Sequence, residues 1–565
     1  MDNADLPTPP DASKVSAEAR EVSPGLGLGR WAPFQYERSA DATAVRLFWG
    51  RIMVWLLVLG GIGWVSLASG AYAFVKYRRG FSEVSYGHML LLPWKLEDYR
   101  RAKGEFLIRQ GLELAERQEW RAAFGLLRSG LPAVPEHREA RLMVARIYLM
   151  AGRADMTRST LADGLRHHGD EVEYLRQVLG FFFGLQADDT VIGLTDELRG
   201  RLEAGSAAWR MANTARAYAF FNRDRHAEAV AVLEEAKLLG TPEGRFVLAR
   251  IDWEEGRRDA ATTRLRELTA QVPEDFEIYR TLVHYLREQK RWGEVRTAAV
   301  ARQLALPERV EAYVDFIAAC GDEGDDVRRE EAERAFLTRF AGEAEALLKL
   351  GEEAARAGRV EVAKAVEGRC RELGRGEADA GLLVVTALLA RGDAAGAVGW
   401  SDELVKRAGA GAAGGEAWSE RARLVLGGLR AVAFYATGRE AEAEPLVRRV
   451  CDTRVLPATV LLALAERLEG AGRRVEAQRV LSHAVEVDPL NQPTLAMLMR
   501  GMLADGKTEE ALERVERLLG MRKPPAELLA RLARTLESDL YLFLPGRERG
   551  LGMMTEWLAE RGRRG

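Results

Sequence analysis

The stretch Gly111–Pro135, GLELAERQEWRAAFGLLRSGLPAVP, decides how the rest of the chain is read. It sets small residues at Gly111, Ala123 and Gly130, an apolar Leu127 between the last two, and a closing Pro135. Small side chains let two helices approach closely, and a proline stops one helix before the next begins. One step on, at 145 − 111 = 34 residues, Ala145, Tyr148, Gly152, Leu161 and Gly164 fall into the same template. The pattern returns at Ala249, Gly256, Ala261, Leu265 and Pro273. It returns again at Ala465, Leu468, Gly472, Ala477, Leu481, Ala484 and Pro489. The glycine ahead of each second run permits a left-handed turn between two helices.

Phase strengthens the reading. The equivalent position of the first helix runs Gly111, Ala145, Leu179, Ala217, Ala249, Val283, Ile317, Gly351 and Val385, in steps of 34 from Ala249 onward. The next start, Ala431, comes after 431 − 385 = 46 residues, one period plus 12. That excess coincides with the run AGAGAAGG, Ala408–Gly415, which reads as a loop inserted between helices. The register resumes at Ala465, Met499 and, more weakly, Ala533. Accidental amphipathicity does not hold a fixed phase over such distances. The units around Leu179 and Ile317 keep phase but lose the small residues and the proline. In the second, GDEGDD (Gly321–Asp326) fills the turn, and without the alternating ligands of a calcium loop it reads as solvated.

This pattern resembles the tetratricopeptide repeat family, a 34-residue helix–turn–helix unit, over roughly residues 103–540. The resemblance implies an all-α fold, a superhelical solenoid of about twelve such repeats, since a lone unit cannot bury its apolar face. In that family the first helix of each unit lines the concave surface. Carried over position by position, Tyr218, Phe221, Arg250, Trp253, Arg280, His284 and Arg287 project into a peptide-binding groove from three successive units. Aromatic and arginine side chains are the usual anchors of protein interfaces. The strip suits an extended peptide with acidic and apolar residues, or a free C-terminal carboxylate. The competing reading packs these aromatics between helices beneath the arginine stems.

Upstream of the repeats, residues 1–44 read as a disordered polar tail, interrupted by Pro7, Pro9, Pro10, Pro24 and Pro33. Gly25, Gly27 and Gly29 follow no strand and lack the spacing of a phosphate-binding loop. Ile52–Val75, IMVWLLVLGGIGWVSLASGAYAFV, holds 75 − 52 + 1 = 24 consecutive uncharged residues. At ~1.5 Å per residue it spans about 36 Å, enough to cross a hydrocarbon core of ~30 Å. Trp49, Trp55, Tyr72 and Tyr77 sit near its ends as interfacial aromatics do. The organisation expected is a transmembrane helix over 45–77, a juxtamembrane connector over 78–102, and a capping helix with a basic tail over 541–565. Met89, Leu90, Leu91, Leu92 and Trp94 in the connector suit either the membrane interface or packing on the first repeat. Arg38, Arg46 and Arg51 balance Lys76, Arg78 and Arg79, so charge does not orient the span. A long downstream domain translocates regardless of charge, which favours an exported body. With an Ala/Arg/Gly-rich composition, that places the repeats on the periplasmic side of a bacterial inner membrane. Ser66 and Gly70 offer a seat for a second helix and hence for a homo-oligomer.

Composition narrows the function classes. Lys and Arg (82) nearly balance Asp and Glu (85), leaving a net charge of −3 and no basic footprint for nucleic acid. Cys320, Cys370 and Cys451 are too few and too scattered for a disulfide framework or a zinc site. His167 and His168 are adjacent and diverge on a helix, and no catalytic or phosphate-binding motif is present. The expectation is therefore no enzyme, no cofactor and no metal, but a membrane-tethered scaffold or adaptor that binds a partner protein or peptide. Two alternatives stay open: a self-associating structural membrane protein without a separate client, and a non-catalytic arm of an envelope assembly or secretion complex.

Overall fold

The repeat period is marked in the backbone by its turns. In the computed structural model, residues 21–24, 31–39, 42–81, 84–410 and 418–564 are described. Between paired helices a residue at positive φ recurs at Gln118, Gly152 and Gln186, and from Gly256 through Lys290 to Gly392. After a step of 438 − 392 = 46 it continues at Gly438, Gly472 and Gly506. The steps are 34 except at that insertion and around Asp224, where they are 38 and 32. Glycine adopts this conformation freely, whereas Lys290 at φ 58° holds it against its own β-carbon. The 34-residue helix–turn–helix unit expected from the sequence is the unit of the fold.

The chain divides into two compact units, residues 1–168 and 169–565. In the first, three strands, β1 (Glu21–Pro24), β2 (Phe34–Ser39) and β3 (Ala42–Leu47), form an antiparallel sheet in that order. Phe34 lies opposite Leu47 and Ser39 opposite Ala42. For the described residues 21–24, 31–39 and 42–44 this corrects the expectation of a disordered tail, whose remaining residues lie outside the described ones. Prolines exclude helix but not an edge strand, and Pro24 sits at the end of the edge strand β1. The sheet runs into α1 (Trp49–Ala73), which continues as one wider turn, Phe74–Arg78. The 30 residues Trp49–Arg78 make one helix long and apolar enough to cross a membrane. The expected start at residue 45 is corrected to Trp49, because residues 45–47 belong to β3. Only Ala68 of α1 is buried, while Leu56, Leu57, Leu59, Ile62 and Leu67 stand exposed.

The connector is not simply extended. A short helix, α2 (Tyr86–Leu90), folds back along the second half of α1, where Trp64 Nε1 donates to the Leu90 carbonyl at 2.7 Å. Met89 is buried with Ala68, Phe81 and Phe106, so part of the apolar run packs as its sequence allowed, while Leu91 and Trp94 face outward. The first repeat helix, α3 (Leu96–Glu116), begins seven residues earlier than expected (103 − 96) and pairs with α4 (Trp120–Gly130). Gly104 and Gly130 cross so tightly that a β-carbon on Gly130 would lie 2.8 Å from the Gly104 carbonyl oxygen. A second pair follows, α5 (Arg138–Met150) with α6 (Ala154–His168).

The second unit repeats the same hairpin: α7 (Val172–Gly184) with α8 (Asp188–Arg199), α9 (Ala207–Asn222) with α10 (His226–Glu235), α11 (Pro242–Glu254) with α12 (Arg258–Gln271), and α13 (Phe276–Glu288) with α14 (Trp292–Ala305). It continues through α15 (Glu311–Glu323) and α16 (Asp326–Arg339), α17 (Ala344–Arg356) and α18 (Val360–Leu373), and α19 (Glu377–Ala390) and α20 (Ala394–Ala410). Beyond these come α21 (Glu420–Ala436) with α22 (Glu440–Cys451) and α23 (Ala458–Gly470) with α24 (Arg474–Val487). Next, α25 (Gln492–Ala504) meets a partner broken into α26 (Thr508–Leu512) and α27 (Val515–Leu519). Finally α28 (Ala526–Leu536) is closed by α29 (Arg547–Arg564). Every in-phase position from Leu179 to Ala533 is buried, including Gly351, where a β-carbon would come within 2.9 Å of Leu383. The degenerate units at Leu179 and Ile317 thus fold as hairpins like the rest. Large apolar residues fill the contact where small ones are missing.

Three local expectations resolve as follows. The acidic run ends α15 at Glu323, turns on Gly324, and starts α16 with Asp325, whose carboxylate accepts from the Arg328 N–H at 3.1 Å. Of the expected inserted loop, Ala408–Ala410 instead extend α20, and residues 411–417 lie outside the described ones. The closing helix runs to Arg564, so the basic end is helical. Cys320 and Cys370 are buried and Cys451 is half-buried; all three are free thiols.

Candidate functional site

The first helices α7, α9, α11 and α13 carry the strip expected to line a groove. Tyr218 is half-buried and meets Phe183 of α7 edge-on, with ring centroids 5.6 Å apart. Phe221, one turn further along α9, is buried at 1 % exposure. Arg250 of α11 reaches back across both, its guanidinium 4.9 Å from the Tyr218 ring and 4.7 Å from that of Phe221. These three converge because residues 34 or so apart share a face in a hairpin stack. Trp253 does not join them. It stacks flat on Tyr285, at 3.8 Å and 5°, with Arg258 5.2 Å away. Burial around that stack pushes the Tyr285 hydroxyl up to about 12.

The remaining three expected residues form a separate recess of about 560 Å³ with Asp315 and Lys349. There Arg280 is exposed and forks onto Glu277, His284 lies 3.8 Å from Glu288, and Arg287 pairs with Asp315 at 3.4 Å. The single strip read from the sequence is therefore two sites and one packed tryptophan. A second cavity of about 500 Å³ opens between α7 and α9, lined by Leu179, Phe183, Met211 and Tyr218, with Arg176 and Arg210 among its polar residues.

Around Phe221 the fold brings in carboxylates that repeat phase did not place on the strip. Asp188 starts α8, Asp224 lies in the turn after α9 and Glu254 ends α11, and the cations they meet come from residues 522 and 523, in the loop between α27 and α28. Arg522 donates from Nε to Asp188 Oδ2 at 2.6 Å and from Nη2 to Oδ1 at 2.8 Å. Asp188 is fully buried, and its Oδ1 also accepts from Asn222 Nδ2 at 2.8 Å. The Arg522 backbone N–H donates to Gln186 Oε1 at 3.0 Å, and Gln186 Nε2 donates to the Leu490 carbonyl at 3.0 Å. The Lys523 ammonium lies 3.5 Å from the Phe221 ring centroid, 3.7 Å from Asp224, and against Glu254.

His226 completes this cage. Its ring stacks on Phe221 at 5.7 Å, and its nitrogens lie 3.3 Å from Glu254 and from Glu255. Burial alone raises the Glu254 carboxyl, but His226 and Lys523 beside it outweigh this and hold it below the usual carboxylate range. Burial likewise pushes the Lys523 ammonium down, only partly offset by Glu254 and Asp224. Asp224, His226 and Glu254 present ligand atoms within 4.8 Å of one another, a spacing that suits a cation, and the Lys523 ammonium sits among them.

Arg250 lies across the Tyr218 and Phe221 rings, and the carboxylates nearest Phe221, Asp224 and Glu254, are met by Lys523. Sequence reasoning missed Asp188, Asp224, Glu254, Arg522 and Lys523. The one local signal was the dipeptide Arg522–Lys523 ahead of Pro524 and Pro525, an ordinary loop composition on its own.

No family model matches the chain, and no curated protein matches it. Solved structures similar to it include the following three. The Naa15/Naa10 complex bound to HypK-THB is 13 % identical, covers 88 % of this chain and 80 % of its own, and has a TM-score of 0.28. Yeast Tom70 is 12 % identical over 81 % of this chain and 96 % of its own, at 0.28. A tetratricopeptide repeat protein from Parabacteroides merdae is 13 % identical over 46 % of this chain and 98 % of its own, at 0.26. At these values they lend this chain no property of their own.

Proposed function

We propose that this chain is a membrane-tethered scaffold whose repeat body captures a partner protein, with α1 as the anchor and the first helices of the second unit as the capture surface. The observation that carries this reading is the apolar recess between α7 and α9. Leu179, Met211 and Tyr218 offer an apolar seat, and exposed Arg176 and Arg210 offer charge beside it. Interfaces of this kind combine a desolvated apolar anchor with a polar rim. An antiparallel hairpin stack leaves such a surface free, because each helix buries only the stripe that meets its neighbours. Tethering rests on the uncharged length of α1 and on its exposed leucines, which water does not favour.

Affinity capture from gently solubilised membranes tests it, comparing the wild type with Arg176→Glu/Arg210→Glu, whose side chains are exposed and leave the core intact. Distinct proteins recovered by the wild type and lost by the variant support the scaffold. Recovery of this chain alone, equally from both, refutes it and favours a self-associating membrane protein. Alkaline carbonate extraction checks the anchor: the chain stays with the membrane pellet, and its release would refute tethering by α1.

A further inference from the structure

The cage formed where α8 and α10 begin and α9 and α11 end is already occupied, and its occupant reveals what it recognises. Arg522 and Lys523 contact residues that precede them by 334 and 269 positions, across most of the second unit. They are held as ligands are held. One cation is forked onto a buried carboxylate, the next sits over an aromatic face between two more, and a backbone N–H is read by a glutamine side chain. A flat guanidinium on a carboxylate and an ammonium over a ring are the usual means of recognising Arg and Lys.

The hold is also incomplete. The Arg522 and Lys523 side chains remain 25 % and 23 % exposed, and Lys523 adopts a left-handed φ of 48°. Burial disfavours its charged form. A segment that presents the same two cations on an unstrained backbone competes on favourable terms. The cage also adjoins the apolar recess, since Phe183 lines that recess and lies 5.5 Å from the Arg522 guanidinium, and Tyr218 lies beside Phe221.

We propose that the Arg522–Lys523 loop is an internal ligand of this groove, and that the partner is a protein segment bearing an Arg–Lys pair beside an apolar residue, which binds by displacing the loop. The apolar residue fills the recess lined by Leu179, Met211 and Tyr218, and the basic pair takes the places of Arg522 and Lys523. This rests on the scaffold reading above and adds the partner's chemistry and its regulation: while the loop is seated, capture is suppressed in proportion to the closed fraction.

The test uses the full chain in detergent micelles and a fluorescent peptide of the loop's own sequence, LLGMRKPPAE, residues 518–527. Fluorescence anisotropy gives its affinity for the wild type, for Arg522→Gln/Lys523→Gln, and for that variant carrying Asp188→Asn/Glu254→Gln as well. Emptying the cage tightens peptide binding at least about tenfold, as expected when a mostly populated closed state is removed. The added cage substitutions abolish the gain, and a peptide with both basic residues replaced by Glu does not bind. Lys523→Met keeps an apolar stem over Phe221 and the Arg522–Asp188 contact, and gives a smaller gain without risk to the fold.

Equal affinity for wild type and emptied cage overturns the proposal, as does equal binding of the acidic peptide. If neither the emptied cage nor Lys523→Met, which keeps the Arg522–Asp188 contact, binds the peptide more tightly than the wild type, the loop is a brace and the proposal fails. A peptide that does not bind while groove-dependent capture persists removes this inference alone. Capture that fails while the peptide binds removes the scaffold reading.

Discussion

Removing Arg522 will harm the protein more than removing Asp188, although the two form one ion pair. The Asp188 carboxylate is fully buried and has three donors, two from Arg522 and one from the Asn222 amide. Arg522→Ala strands that charge with one neutral donor, and an uncompensated buried charge costs about 3–5 kcal/mol. Asp188→Ala leaves Arg522, whose side chain is 25 % exposed, able to turn to water. The loss there is that of charge-assisted hydrogen bonds, about 1.5–3 kcal/mol. The double variant no longer contains a stranded charge, so it costs no more than Arg522→Ala alone, and the coupling is roughly 2 kcal/mol.

Stability in a stack of hairpins is local, so hydrogen exchange followed by mass spectrometry of the full chain in detergent is the assay. In Arg522→Ala the amides of α8, α9 and the start of α28 should exchange faster by about two to three decades, at one decade per ~1.4 kcal/mol. Those of α19–α21 should not change. Equal costs for the two single variants, adding fully in the double, would refute the claim that burial of Asp188 sets the asymmetry.

Two further outcomes follow from backbone and charge. Lys290→Gly, at φ 58°, should raise the thermal midpoint by relieving up to about 1 kcal/mol, whereas Gly472→Ala, at φ 78°, should lower it by a similar amount; circular dichroism melts decide both. Glu254 has a folded pKa below its ordinary 4.5, so its contribution is fully present above that value and is lost as pH falls through the lower folded value. Seating of the loop, and binding of the peptide in its place once the cage is emptied, should therefore both weaken on acidification below about pH 4.5, and Glu254→Gln should remove this dependence. A pH response unchanged by that substitution would show that Glu254 does not hold the loop.

Part of the candidate site was legible and part was not, for one reason. Tyr218, Phe221 and Arg250 lie one repeat apart on first helices, so phase alone brought them together. The stack of Trp253 on Tyr285 was not legible, because repeat phase places a residue on a face without saying which neighbour its ring meets. The charge around Phe221 was not legible, because a sequence does not show which arginines lie across rings or which carboxylates lie beside them. Only the fold shows that Arg250 lies across rings while Asp188, Asp224 and Glu254 face the occupant.

The repeat unit, its period, the 46-residue step and the long apolar helix were determined by the sequence itself. Each is a local property: a small residue where helices cross, a glycine where the chain reverses, an uncharged run of given length. The small sheet at Glu21–Leu47 escaped because a short strand is stabilised by its partner, not by its own residues. The meeting of Arg522 and Lys523 with Asp188, Asp224 and Glu254 was decided by tertiary structure alone. It depends on small rotations summed over many stacked hairpins, and no residue in the intervening chain encodes that sum by itself.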